Sequence, residues 1–188
     1  MTAIATDTLT GNWTIDTAHS RVGFTARHAM VTKVRGSFTS FAGTAELNAE
    51  NPAASHIDLT IEVASVNTGN EQRDGHLRTN DFFDVANHPQ MSFVSTQAES
   101  RGGDDYRLTG DLTIKGVTKP VTVDVEVLGS ESDPWGGTRA GFEGTVTISR
   151  KDWGVDFNIP MDGGRLLVGD RIDVTIVAQA VLEEPATA

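Results

Sequence analysis

Residues 67–93 read NTGNEQRDGHLRTNDFFDVANHPQMSF, and this stretch departs from everything around it. Elsewhere the chain alternates apolar and polar residues. Here the pattern calls for a short helix over Asn70–Thr79. Asn70 can cap it by accepting from the first free backbone N–H groups, and Glu71 suits the positive end of the helix dipole. Asp74 and Arg78 stand four apart and can pair on one face; Arg73 and Leu77 share another. Gly75 costs such a helix roughly 1 kcal/mol relative to Ala, so packing must hold it, through Leu77, Phe82, Phe83 and Val85. Pro89 forbids further helix and Met91 opens a strand. One helical plug among strands implies a sheet with one opening to cover.

Outward from this stretch the alternation is regular. Strands are expected over Trp13–Asp16, Arg21–His28, Val34–Leu47 with a kink near Gly43, and His56–Val63. Further strands are expected over Met91–Gln97, Tyr106–Lys115, Val117–Val127, Ala140–Ser149 and Arg171–Leu182. Arg101–Asp105 and Lys115-Gly116 read as tight turns. Arg150–Arg165 is irregular and Gly-rich, a rim loop. Residues 1–10 and 183–188 read as flexible ends around one domain over 11–182. About eight alternating strands with short connections make a mainly β protein, an antiparallel sandwich or closed barrel. Closure removes exposed edges and gives the apolar rows one interior.

Composition bounds the function. The chain has 188 residues, no cysteine and a net charge of −11. Thiol chemistry and disulfides are therefore excluded. Residues 1–94 carry 6 basic against 10 acidic side chains, and residues 95–188 carry 9 against 16, so the acidity is spread out. That argues against nucleic acid as a partner and against stable membrane insertion or docking. No apolar run approaches the roughly 18 residues of a membrane span. The first residues lack a signal-peptide pattern, which leads to the expectation of a cytoplasmic protein. The sequence is compatible with a homodimer.

Several groups of residues, in order, resemble the YceI-like family. They are Thr68, Arg73-Asp74-x-His76-Leu77-Arg78, Asp81-Phe82-Phe83-Asp84, Pro89 and Phe93 in the central stretch. Before it come Asp16-x-x-His19-Ser20, Phe24, Gly36-x-Phe38 and Phe41-x-Gly43. After it come Leu108-x-Gly110-x-Leu112 with its continuation to Val121, then Gly141-Phe142, Arg150-Lys151-Asp152-x-Gly154 and Val168-Gly169-Asp170. The resemblance spans about Gly11 to Leu182. It implies an eight-stranded lipocalin-like barrel that binds a polyisoprenoid or another long amphiphilic lipid.

The apolar rows then become candidate walls of a tunnel: Phe24, Phe38, Phe41, Leu59, Ile61, Phe82, Phe83, Met91, Phe93, Leu112, Val123, Phe142, Val146, Trp153 and Ile176. Each buried methylene of a chain ligand contributes about 0.8 kcal/mol. His28, Arg73, His76 and Arg78 are candidates for a head-group clamp or for holding a lid. The lid is preferred for the arginines, and for His28 and His76 a buried, hydrogen-bonded structural role. His19, His28, His56, His76 and His88 show no metal-ligand spacing, so no metal or other cofactor is expected beyond the lipid itself. His19 and Ser20 are adjacent and cannot face each other as base and nucleophile. The expected function is binding, sequestering or carrying a lipid, not catalysis. The alternatives are an enzyme that modifies such a lipid with cavity His or Asp residues, and an interaction module with a filled core.

Overall fold

The computed structural model describes residues 9–184. Every strand pairing in it is antiparallel. In chain order the strands are β1 (Gly11–Ile15), β2 (Arg21–His28), β3 (Thr32–Phe38), β4 (Phe41–Leu47), β5 (His56–Glu62) and β6 (Val66–Asn67). The helix α1 (Glu71–Arg78) follows, then β7 (Gln90–Gly102), β8 (Asp105–Ile114), β9 (Val117–Ser132), β10 (Thr138–Ser149) and β11 (Val168–Leu182).

The ring β1-β4-β5-β7-β8-β9-β10-β11 closes through pairing of β1 with β11, giving an eight-stranded barrel. Beside it, β2, β3 and β6 continue the wall from β11. The two branches are the halves of bent staves: β1 runs into β2, β3 into β4, β5 into β6. The first bend, at residues 16–20, is filled by Ser20, whose hydroxyl accepts from the Gln179 N–H at 2.9 Å in place of a ladder partner. The second bend is at Thr39–Ser40, not near Gly43 as the sequence suggests. Ser65 creates it: its hydroxyl accepts from the Thr39 and Ser40 N–H groups at 3.1 and 3.0 Å. After the third bend β6 pairs with β3, and no strand joins β6 to β7. The wall is open there, and α1 with residues 79–89 lies in the opening.

The helix stands where the sequence puts it. Asn70 caps it, accepting from the Arg73 N–H at 2.9 Å. Asp74 and Arg78 do not pair; each is engaged elsewhere, as described below. The turn at Lys115-Gly116 uses positive φ at both residues, 50° and 74°. Two inward glycines are dictated by close approach. A Cβ on Gly36 would lie 2.4 Å from the Phe24 ring, and one on Gly110 2.4 Å from the Phe93 ring. β7 and β9 are longer than alternation alone suggests, because pairing carries them past their last apolar residue, and β11 starts earlier, at Val168, which pairs with His28.

The ends differ from expectation where they are described. Leu9 is buried, and its carbonyl accepts from Trp13 Nε1 at 2.8 Å. Glu183 N–H donates to the Asn12 carbonyl at 2.8 Å. Residues 1–8 and 185–188, the rest of the expected flexible ends, lie outside the described residues.

Candidate ligand-binding interior

Two apolar clusters line the barrel interior. The larger occupies the helix end and the middle; the smaller, built on Leu9, Trp13, Val127, Ala140 and Ala180, occupies the end closed by β1. Between them is an apolar cavity of about 90 Å³. It is lined by Leu9, Leu47, Ile57, Ala98, Tyr106, Leu108, Val125, Val127 and Phe142, and its polar lining residues include Asn48, Ser55 and Arg107. A volume of about 90 Å³ is well below the roughly 300–1,000 Å³ of usual ligand pockets. A long chain therefore needs more room than this void. The inward row of β11 indicates where room exists. Ile176 faces the interior beside Val123, since a Cβ on Gly144 would touch both, yet Ile176 is only half-buried. Phe24, Val146, Val174 and Phe142, paired along the same rows, are half-buried too. Inward side chains of a filled core would be fully covered.

The residues marked in the sequence as tunnel walls divide accordingly. All except Phe142 and Ile176 belong to the larger cluster or pack against it. Phe142 lines the cavity. Phe93 is packed core, with its ring against Gly110. Phe38 meets Phe24 at 5.6 Å and Phe83 at 6.0 Å between ring centroids. Trp153 is buried and donates from Nε1 to the Leu112 carbonyl at 3.0 Å. The cavity walls missing from the sequence-based set are Leu9, Leu47, Ile57, Ala98, Tyr106, Leu108, Val125 and Val127. Their alternation marks most of them as inward-facing; that they border empty space is set by how the staves close.

The candidate clamp residues point elsewhere. Arg78 donates from Nε to the Ala64 carbonyl at 2.8 Å and from Nη2 to the Val66 carbonyl at 3.1 Å. Arg73 donates from Nε to Thr68 Oγ1 at 2.7 Å and from Nη2 to the Thr68 carbonyl at 2.9 Å. Buried Asp74 accepts from the Thr68 N–H at 2.9 Å and from its hydroxyl. These bonds fasten α1 to the segment around β6. His76 is exposed, not buried: its Nε2 lies 2.7 Å from Asp81 Oδ2, and its ring meets Phe82 and Phe157 edge-on, each at 5.1 Å. His28 is exposed at the end of β2, contrary to the expectation of a buried role, because its strand runs out past the covered interior there. Among the described residues no three His, Asp or Glu side chains are grouped so as to hold a metal ion.

Arg150 is a structural centre that spacing does not reveal. It is only 5% exposed. Nη1 donates to the Val155 and Phe157 carbonyls at 2.7 and 2.9 Å, and Nε to the Gly169 carbonyl at 3.0 Å. Asp170 lies 3.5 Å from it and also pairs with Lys151 at 2.9 Å. Burial pulls its pKa down, with Asp170 and Asp156 opposing. It ties the loop after β10 to the start of β11. At the opposite end Arg139 bridges Asp16 and Asp133 at 2.7 and 2.8 Å.

The comparisons with known proteins agree with this architecture. A model described as the YceI-like domain matches residues 13–180. Protein YceI of Escherichia coli is 41% identical over 166 residues, covering 88% of this chain and 83% of that protein. A UPF0312 protein of Pectobacterium atrosepticum is 43% identical over 146 residues, covering 78% and 73%. Burkholderia cenocepacia BcnA has a similar crystal structure, with a TM-score of 0.76, 27% identity and coverage of 88% and 98%. A domain from Saccharophagus degradans, described as polyisoprenoid binding, superposes with a TM-score of 0.68 over 91% of this chain and 98% of that one. Its 16% identity shows the shared fold alone. With the closed barrel, the helix in its wall and the matched residues in agreement, the chain belongs to the YceI-like family.

Proposed function

We propose that this protein binds a long-chain amphiphilic lipid of isoprenoid type inside the barrel and carries or sequesters it. The observation that supports this most directly is the half-buried inward row of Phe24, Val146, Phe142, Val174 and Ile176, which leads to an apolar cavity of about 90 Å³. Apolar surface inside a closed wall is stabilised by apolar filling, at about 25 cal/mol per Å². A flexible chain follows such a row better than a compact ligand does. Because the void is small, loading requires side chains such as Phe142 and Leu9 to yield. Binding then couples to movement of Leu9, which borders the cavity at the β1 end.

Mass spectrometry of an organic extract of the purified protein tests this reading. A stoichiometric long-chain lipid is expected. In a displacement assay with a fluorescent isoprenoid, Phe142→Asn is expected to weaken binding about tenfold or more, with little change in melting temperature. A protein that neither carries a lipid nor displaces the probe would leave a filled-core interaction module as the better reading. Chemical conversion of the bound lipid would favour the enzyme.

A further inference from the structure

The hairpin joining β2 to β3 ends in an unusual tip. Residues 27–35 read RHAMVTKVR, four basic or imidazole side chains around an apolar centre, with no acid, in a chain of net charge −11. The loop holds Ala29 and Met30 at positive φ, 51° and 60°. Glycine or asparagine normally occupies such positions, so apolar side chains are kept there against backbone preference. Met30 is 52% exposed and Val31 76%. The loop after β10 lies alongside, joined by the Ala29 N–H donating to the Leu167 carbonyl at 2.7 Å. It adds exposed Ile159, Met161 and Leu166.

Charge on this face is arranged as well. Arg27 pairs with Lys33, and Arg35 with Thr25, so the three cations share the outer face of the hairpin, opposite inward Phe24 and Ala26. All three are exposed. Arg165 stands in the neighbouring loop. Among the described residues none of these four has a carboxylate within ion-pair distance. The nearby acids are Asp152, Asp156 and Asp162 in the loop, Asp170, held by Lys151 and Arg150, and Asp173, held by Arg171 at 2.9 Å and within electrostatic reach of Lys33.

We infer that this tip is a docking surface for an anionic phospholipid bilayer: Met30 and Val31, with Ile159, Met161 and Leu166, enter the headgroup boundary while Arg27, Lys33, Arg35 and Arg165 meet lipid phosphates. Interfacial binding of this kind needs exposed apolar side chains flanked by cations, and no spanning element. A second copy fits the surface poorly, since a two-fold contact would set the basic stripe against itself. Docking is reversible and local, so the acidity of the rest of the chain does not oppose it beyond a Debye length of about 8–10 Å. The hairpin also carries the half-buried Phe24 of the interior row.

The test is flotation of the full chain with vesicles of phosphatidylcholine alone and of phosphatidylcholine with one third phosphatidylglycerol. The expected result is binding to the anionic vesicles only, reversed by salt at about 0.5 M. Val31→Asp and the double variant Arg27→Glu/Lys33→Glu are each expected to lower bound protein about tenfold or more. Met30→Ser serves if either variant melts early. Trp135→Ala, an exposed aromatic in the loop between β9 and β10, should leave binding unchanged. The inference is overturned if the wild type ignores anionic vesicles or binds both kinds equally. It is also overturned if Val31→Asp still floats, if Trp135→Ala abolishes flotation, or if Val31→Asp instead dissociates a dimer. Vesicle binding is read without an interior ligand, so a protein that docks but holds no lipid refutes only the carrier function.

Discussion

Phe93 and Phe142 look alike in the sequence, each an aromatic on an inward row, and the structure separates them. Phe93 is clasped by the bare backbone of Gly110, whereas Phe142 borders empty space. Phe93→Ala should therefore cost about 3–5 kcal/mol in denaturant unfolding, and Phe142→Ala distinctly less. Gly110→Ala should cost about 1–3 kcal/mol by overpacking, lowering the melting temperature by several degrees. Equal costs for the two Phe variants would mean the cavity collapses around position 142. Acid sensitivity also has residue-scale origins. Asp16 is held below its ordinary pKa by its hydrogen bond with His19, then by the Ala18 N–H and Arg139. Asp133 is lowered by the Gly137 N–H and then by Arg139. Asp173 is lowered by Arg171 and Thr147. A carboxylate with a depressed folded pKa contributes stability that is fully present above its unfolded value of about 3.9 and is lost as pH falls through the folded value. Stability is thus expected to be flat from neutral pH to about 5 with respect to these groups and to fall below about 4. Asp133→Asn should make that fall shallower in melting curves taken across pH.

At the scale of elements, α1 is a latch held by polar bonds. Its arginines donate to the backbone of residues 64–68, where the chain turns away from β7 and β6 pairs with β3. Arg78→Ala leaves the Ala64 and Val66 carbonyls to water and should speed amide exchange across Glu71–Arg78. Charge-assisted bonds of this kind contribute about 1.5–3 kcal/mol each when buried, and less at this half-buried site. Affinity for a chain lipid should survive, since neither arginine faces the cavity. Loss of binding with the helix still protected would restore a head-group clamp. Arg150 does for the loop after β10 what Arg78 does for α1, but from a buried position. Arg150→Met should destabilise by at least about 1.5–3 kcal/mol, since three carbonyls lose their donor. Its depressed pKa still leaves it charged at neutral pH, so this contribution should not vary between pH 5 and 8.

For the whole molecule, closure decides the behaviour. One ring of eight strands leaves a single interior, and the bent staves open the wall on one side only, where the helix enters. No helix among the described residues is long and apolar enough to cross a membrane. The overall charge of −11 hides a local basic hairpin, so average charge and surface behaviour are separate questions. Treatment with a chelator is expected to leave the melting temperature unchanged, because no His, Asp and Glu grouping of metal-site geometry is present among the described residues. A shift of several degrees would point to a metal bound outside those residues.

Much of this was legible in the chain itself, because it rests on local chemistry. Alternation marked inward and outward faces, Asn70 and Pro89 bounded the helical stretch, and Gly116 marked its turn. The order of family motifs carried the barrel. What tertiary structure alone decided depends on partners distant in the chain. Ser65 places the bend at Thr39–Ser40 rather than at Gly43. The backbone of residues 64–68 takes the guanidinium groups of both candidate clamp arginines, and the loop after β10 buries Arg150. Most of all, alternation shows which side chains point inward, but only the closing of the staves determines which meet a neighbour and which meet space. That is why Phe93 is core and Phe142 is wall.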